Sequence, residues 1–356
     1  MVDDETEKAY PLCFKSDCLH NEETDPERIP NCNAFIGTPI NAQFLCVYHN
    51  KLYCTVKTNS KGTADLIEME LDGSNRKTII SDLDHIQAGS LVFHRGVFYY
   101  ISTYVSLEGE VTNYFTAYSI AGNNRKPVVL EEYGQDITLS QFFPLGNNIF
   151  YTKTKVVDER PVNESYRYNI QTCQSEILPK NMTDGLMNSV ISGGYNGTLI
   201  IEGTYGEARS LREYDAESLE PIQSKTKGLN SFVQDHLDWG ISVIHADKDI
   251  LFIQCIDLQN MERKSDLYIV SREDGTMTIL PDEAWDNNSI VEVIYEGEPF
   301  YLKKTKSCTP FSVNAYRKSD LLSGKTANPV SVLSADDFSA SFLPAYILPY
   351  DGDFPE

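Results

Sequence analysis

Hydrophobic and polar positions along this chain follow one phrase that recurs. An apolar stretch, a short polar turn and a run of aromatic and β-branched residues appear as FLCVYHNKLYC, LVFHRGVFYY, FPLGNNIFYT, ISGGYNGTLII, VIHADKDILFI and VIYEGEPFYL. The first residues after the turns are Leu52, Val97, Ile149, Thr198, Ile250 and Pro299, at intervals of 45, 52, 49, 52 and 49. A period of this size signals a repeat architecture, in which each unit buries its faces against its neighbours.

Each phrase reads as a β-hairpin closed by a turn rich in Gly, Asn and Asp. A third strand follows, with clean alternation. Ile67, Met69 and Leu71 fall on one face and Glu68 and Glu70 on the other; Tyr166, Tyr168 and Ile170 alternate with Arg167 and Asn169. That period of two belongs to half-buried strands, not helices. Turn chemistry at Asp72-Gly73, Gly122-Asn123 and Asp274-Gly275 then leads to fourth strands RKTII, RKPVVL, SEIL, GTMTIL and NPVSVL. The fourth repeat, near EPIQ, is the weakest copy.

Four antiparallel strands about every fifty residues are the blades of a β-propeller. A linear array of such sheets would expose long edges, which radial closure removes. The expected class is therefore all-β, a β-propeller of four-stranded antiparallel blades. The tail ASFLPAYILPY reads as closing strands, and AYPLCF in the head echoes the third-strand phrases TAYSI and DLYIV. The expectation is seven blades, one split between the N- and C-termini, with six-bladed closure as the alternative. Residues 1–356 form one domain in this reading: an N-terminal strand plus a Cys/His loop over 1–42, six blades over 43–333 and closing strands over 334–356.

Composition agrees with a β-rich, well-packed protein, with 41% hydrophobic residues, 21 Tyr and 16 Phe. No run approaches the roughly eighteen apolar residues of a membrane span. The net charge of −22, from 52 acidic and 30 basic residues, argues against nucleic acid and anionic membrane surfaces as partners. It suits solubility, or attraction of cationic ligands.

The most pointed chemistry lies in LCFKSDCLHNEETDPERIPNCNAF, which places Cys13, Cys18, His20 and Cys32 within twenty residues. Three thiols and an imidazole are the ligand set of a structural zinc ion. The spacing matches no familiar finger or knuckle. A disulfide among the same cysteines is the alternative, stabilising by about 3 kcal/mol in the chain-entropy model; unpaired thiols are the third. Cys46 and Cys54 flank the first hairpin and are placed to face each other across it, while Cys173, Cys255 and Cys308 read as small core residues.

Ligands of propellers sit at the mouth of the central channel, on the loops that lead into the innermost strands. Here these linkers carry Asp84, His85, Asp136, Asp184, Asp235, His236, Asp238, Asp286 and Asp337, together with both tryptophans, Trp239 and Trp285. Aromatic rings beside carboxylates suit a sugar or a peptide. Asp and Asn also cap turns, and a Trp also plugs a gap between blades, so packing and turn chemistry stand as the plainer account. There is no G-x-S-x-G elbow, H-E-x-x-H or phosphate-cradling glycine loop. Paired carboxylates could still serve a glycosidase or lyase.

GVFYYIS followed by TAYSIAGNNRK, and DLIEMELDGSNRK, resemble the blades of TolB-like and YWTD-type propellers. FYYI and FYTK lack the Trp and Asp of the YWTD consensus. The segment AYPLCFKSDCLH with NCNAF resembles the N-terminal region of exported propeller lipoproteins of Gram-positive gut bacteria. That resemblance implies an extracytoplasmic, cell-surface protein with a binding or scaffold role and a lipid anchor upstream of Met1. The acidic opening MVDDETEK is no signal peptide, so it reads either as a start that replaces a leader or as the start of a cytoplasmic protein. The expected function is non-catalytic binding of a small molecule, glycan, peptide or protein at the channel mouth; the alternative is a propeller glycoside hydrolase or polysaccharide lyase.

Overall fold

In the first five sheets the second strand is buried on both faces over its first half, which is why the hairpin phrases end in apolar runs. The computed structural model describes residues 13, 15–19, 25, 27–28, 31–33, 44–57, 64–81, 83, 86, 90–120, 126–158, 160–183, 187–195, 197–205, 208–222, 239–246, 248–257, 266–280, 290–295, 298–306, 311–325 and 331–335. The first sheet holds β1 (Leu45–Tyr48), β2 (Lys51–Lys57), β3 (Ala64–Glu70) and β4 (Lys77–Ile80). The second holds β5 (Val92–His94), β6 (Val97–Val105), β7 (Val111–Ser119) and β8 (Val128–Gly134). The third holds β9 (Ile137–Leu145), β10 (Asn148–Val157), β11 (Arg160–Asn169) and β12 (Gln174–Ile177), followed by the short helix α1 (Lys180–Thr183).

The fourth sheet has three strands, β13 (Met187–Tyr195), β14 (Thr198–Tyr205) and β15 (Ala208–Asp215). The fifth holds β16 (Trp239–Ala246), β17 (Ile250–Asp257), β18 (Asp266–Ser271) and β19 (Met277–Leu280). The sixth holds β20 (Ile290–Tyr295), β21 (Glu298–Lys306), β22 (Phe311–Arg317) and β23 (Ser331–Ala335), with α2 (Lys318–Leu322) between the last two. Strands within each sheet follow chain order, as expected of blades. Among the described residues no helix is long and apolar enough to cross a membrane.

The blade count corrects the expectation. Among the described residues five four-stranded blades form beside the three-stranded fourth sheet, not seven or six, and no blade split between the termini is seen there. The fourth repeat falls short at EPIQ, where the described residues make one bridge and no named fourth strand. After β15 the chain turns and makes one isolated bridge, Tyr214 to Pro221, with Ile222 N–H donating to Glu213 O at 2.9 Å. Asp215 N–H also donates to Glu220 O at 2.9 Å, so the two bonds flank Pro221, whose nitrogen faces away from β15, and EPIQ is described only through Ile222. The head phrase AYPLCF and the tail ASFLPAYILPY lie outside the described residues apart from Cys13.

The fold divides into two compact units, within Met1–Gln135, Cys308–Ser312 and Leu333–Glu356 for one and Asp136–Ser307 and Val313–Val332 for the other. In the first unit, Phe44, Cys46, Tyr53 and Leu66 of the first sheet and its flank meet Phe93, Phe98, Tyr100 and Tyr118 of the second. In the second unit the alternation of β14 is shared out: Leu199 and Ile201 pack with Leu145 and Phe150 of the third sheet, while Ile200 packs with Leu251 and Ile253 of the fifth. In β17 the other face, Ile250 and Phe252, meets Tyr301, Tyr316 and Leu321. Successive residues thus serve opposite faces, and both faces are core.

One tyrosine recurs at a fixed register. Tyr118, Tyr168 and Tyr214 pair with Phe98, Ile149 and Leu199, the second residue of the preceding strand in each blade. All three are buried. The hydroxyl of Tyr118 donates to Ile79 O of the preceding sheet at 2.8 Å, and that of Tyr214 to Met182 O in α1 at 2.9 Å. The ring fills the space between sheets and the hydroxyl satisfies a carbonyl beyond the ladder. Met69 and Val270 hold the same register in the first and fifth sheets.

Candidate functional site

The cysteine segment reaches its geometry through tight turns. Cys18 N–H closes back on Lys15 O at 3.3 Å, Arg28 N–H on Asp25 O at 3.0 Å and Asn31 N–H on Arg28 O at 2.9 Å. The first turn returns Cys18 toward Cys13, and the second pair brings Cys32 to both. The thiol sulfurs of Cys13, Cys18 and Cys32 lie within 4.8 Å of one another. Cys13 is buried and the other two are half-buried. No disulfide joins the described cysteines. His20, the fourth expected ligand, lies outside the described residues.

Asn33 N–H donates to Cys13 Sγ at 3.3 Å. Burial pushes the Cys13 thiol up, but the backbone groups of Lys15 and Asn33 and the thiols of Cys18 and Cys32 outweigh it and hold it below its ordinary value. Arg76, in the turn between β3 and β4, anchors the segment: its Nη2 donates to Asn33 O, and its Nε donates to Gly73 O at 3.4 Å. The same guanidinium acts electrostatically on Cys13, Cys32 and Cys54. Sequence spacing gave no hint of Arg76, which stands 43 residues from the carbonyl it holds.

The other cysteines sort differently from expectation. Cys46 pairs with Tyr53 and Cys54 with Leu45, so the two thiols occupy opposite faces of the first sheet and do not meet. Burial raises both, Cys54 to about 12 against the pull of Arg76. Cys255 is core, as expected, whereas Cys173 sits exposed at φ 55° in the turn between β11 and β12. Cys308 lies outside the described residues.

Of the expected channel-mouth residues, Asp84, His85, Asp235, His236, Asp238, Trp285 and Asp286 lie outside the described residues. Trp239 is placed as the first residue of β16, in register with Asp257. Asp136 stands exposed in a two-residue turn between β8 and β9, so EEYGQDITLSQ is mostly strand rather than a loop. Several described acids serve turns: Asp72 Oδ1 accepts from Ser74 N–H at 2.9 Å, Asp274 Oδ1 from Thr276 N–H at 3.0 Å, and Asp215 Oδ1 from Ser218 N–H at 2.8 Å and Glu217 N–H at 3.1 Å. These bonds, led by that of Ser218 for Asp215, hold the carboxyls below their usual range.

One acid is buried. Glu213 on β15 takes both prongs of Arg272, which follows β18, at 2.5 and 2.8 Å. Their side chains are 4% and 10% exposed, so the pair links the fourth and fifth sheets away from water. Burial pushes the Glu213 carboxyl up to about 7 and the Arg272 guanidinium down to about 10; the fork between them is what keeps both charges in place. It is a structural pair, and neither residue was singled out from the sequence.

Two hairpins run long. β6 and β7 have 9 residues each and β10 and β11 have 10, against 4 in β12. Their outer ends expose Tyr104, Val105 and Leu107 in the second sheet, and Val156, Val157 and Val162 in the third. These six were not picked out from the sequence, because an apolar strand end reads the same whether it is covered or bare.

No known protein family and no curated protein matches the chain. Among solved structures, the β-propeller domain of the Trilobed protease from Pyrococcus furiosus, which has an open velcro topology, superposes with a TM-score of 0.50 over 85% of this chain and 84% of that one, at 13% identity. A prolyl endopeptidase superposes with a TM-score of 0.51 over 90% of this chain and 45% of that one, also at 13% identity, so the chain spans less than half the length of that enzyme. The fold is a β-propeller resembling those of peptidases. Identities this low speak to the fold alone.

Proposed function

We propose that this chain is a non-catalytic binding or scaffold propeller working outside the cytoplasm at the cell surface, with a peptide or glycan as its ligand. The observation that carries the reading is the pair of overlong hairpins. Leu107 is fully exposed at 106%, beside Tyr104 and Val105 on one hairpin, and Val156 at 63% stands beside Val157 on the other. Apolar side chains held out on rigid strand ends are a liability in water and an asset against a partner. Asp72, Asp215 and Asp274 act in turns and Glu213 in an ion pair, which is structural work. The export and surface reading rests on the resemblance of the N-terminal cysteine segment.

Binding of the purified chain to peptide and glycan arrays, run alongside turnover of oligosaccharides, tests this. Saturable binding without turnover, weakened at least tenfold by Leu107→Ser or Val156→Ser, is the expected result. Turnover of an oligosaccharide that Asp235→Asn or Asp286→Asn abolishes would replace the reading with a propeller glycosidase or lyase.

A further inference from the structure

We propose that Cys13, Cys18 and Cys32 hold one zinc ion, and that this ion clasps the N-terminal segment to the first sheet. In a tetrahedral site with Zn–S bonds of about 2.3 Å, ligand sulfurs stand about 3.8 Å apart. Three sulfurs mutually within 4.8 Å are already close to that spacing. A disulfide could use two of them and would strand the third, whereas an ion uses all three. Turns at Lys15–Cys18 and Asp25–Asn31 aim the thiols at one point.

The surroundings fit a ligated thiolate group. Asn33 N–H donates to Cys13 Sγ, the kind of outer bond that orients a metal-bound sulfur. Three thiolates on a divalent ion leave one net negative charge, and the guanidinium of Arg76 acts electrostatically on Cys13 and Cys32 to offset it. Because Arg76 also donates to Asn33 O and Gly73 O, the ion, its charge partner and the turn of the first sheet form one connected unit. The ion's fourth position is open to water or to a further side chain.

The experiment uses the full chain, purified with reductant and zinc and then dialysed, with metal read by mass spectrometry and thiols by titration. One zinc per chain is expected, released by a chelator together with three newly reactive thiols. Cys18→Ser or Cys32→Ser should lower retained zinc at least tenfold, while Cys173→Ser, at an exposed turn, retains it. Should a ligand variant fail to fold, cobalt(II) added to the metal-free wild type gives an independent reading: a thiolate-to-cobalt absorption band supports the site, and its absence overturns it. No metal with two thiols fewer than the chain's 8 cysteines would overturn the proposal in favour of a disulfide. No metal with every thiol titrating would overturn it in favour of unpaired thiols.

Discussion

Between the fourth and fifth sheets, Ile200, Leu211, Leu251, Ile253 and Val270 close an apolar interface, and the same sheets share the buried pair of Glu213 and Arg272. Among the described residues, the segment carrying Cys13, Cys18 and Cys32 joins no such apolar cluster. Among its described residues only Cys13 is buried, and its tie to the first sheet runs through Arg76. Both places hold one stretch of chain against another. Where the repeat supplies two apolar faces, burial does most of the holding and charge is an addition that must be matched; in the cysteine segment, the described ties are polar contacts and thiols.

The largest effect should come from breaking that match. Arg272→Ala leaves the Glu213 carboxylate buried without its partner and should cost about 3–5 kcal/mol in urea unfolding. Replacing both, as Glu213→Leu with Arg272→Met, should recover most of the loss, because the interface is otherwise apolar. The pH dependence has a definite sign. Without its cation, Glu213 has a folded pKa raised further above the unfolded value, so its stabilising contribution is present at low pH and lost as pH rises through the folded pKa. The deficit of Arg272→Ala should therefore be smaller at pH 5 than at pH 8. A loss below about 1 kcal/mol would mean that water reaches the carboxylate.

Next in size is Gly194→Ala. The phrase ISGGYNGTLII reads as though its glycines belong to a turn, yet Gly193 and Gly194 lie within β13, beside a register shift at Ile191. A Cβ on Gly194 would stand 2.5 Å from Leu145 Cδ1 of the third sheet and 3.1 Å from Thr198 O. Glycine is there for close approach. Overpacking of this kind should cost about 1–3 kcal/mol, read from the thermal midpoint, and Leu145→Ala combined with it should recover part of the loss. Two independent, additive losses would show that the two sites do not press on each other.

These examples show what periodicity carries. Alternation says which residues share a face, and the hairpin phrases were legible because strands such as β10, with Ile149, Phe150 and Tyr151 all fully buried, need apolar residues at every position. Alternation does not say whether the polar face is wet. Glu213 looks like a solvent residue until a neighbouring sheet covers it and supplies Arg272 from 59 residues away. The blade count failed at the weakest copy of the repeat: among the described residues EPIQ makes one bridge to β15 rather than a fourth strand. That the three thiols stand together was legible, since they lie in one short segment, whereas Arg76 joins them only through the tertiary fold.

Smaller again are the tyrosine hydroxyls between sheets. Tyr118→Phe and Tyr214→Phe keep the ring and remove one hydrogen bond each, to Ile79 O and Met182 O. Each should cost about 1 kcal/mol by denaturant midpoint. Leu at either position should cost more, since the ring fills the gap as well. If Tyr118→Phe is as costly as Tyr118→Leu, the hydroxyl carries more than the packing does, and the preference for burial over polar contacts between repeats is reversed.

The smallest effect belongs to a partly exposed ion pair in the third sheet. Glu164 on β11 accepts from Lys155 Nζ at 2.6 Å and from the Tyr166 hydroxyl at 3.0 Å, with Lys153 lying over the Tyr166 ring at 3.9 Å. The Lys155 bond, opposed by partial burial and helped by Tyr166, holds the Glu164 carboxyl below its usual value. A depressed folded pKa contributes stability that is present above the unfolded value of about 4.3 and is lost as pH falls through the folded one. Glu164→Gln should thus be less stable than wild type at pH 7 by under about 1 kcal/mol, and the two should converge as pH drops toward 3. A gap as large as that of Arg272→Ala, or one that persists in acid, would mean that this pair works as a buried one does, and the contrast between matched burial and exposed charge would not hold within the repeats themselves.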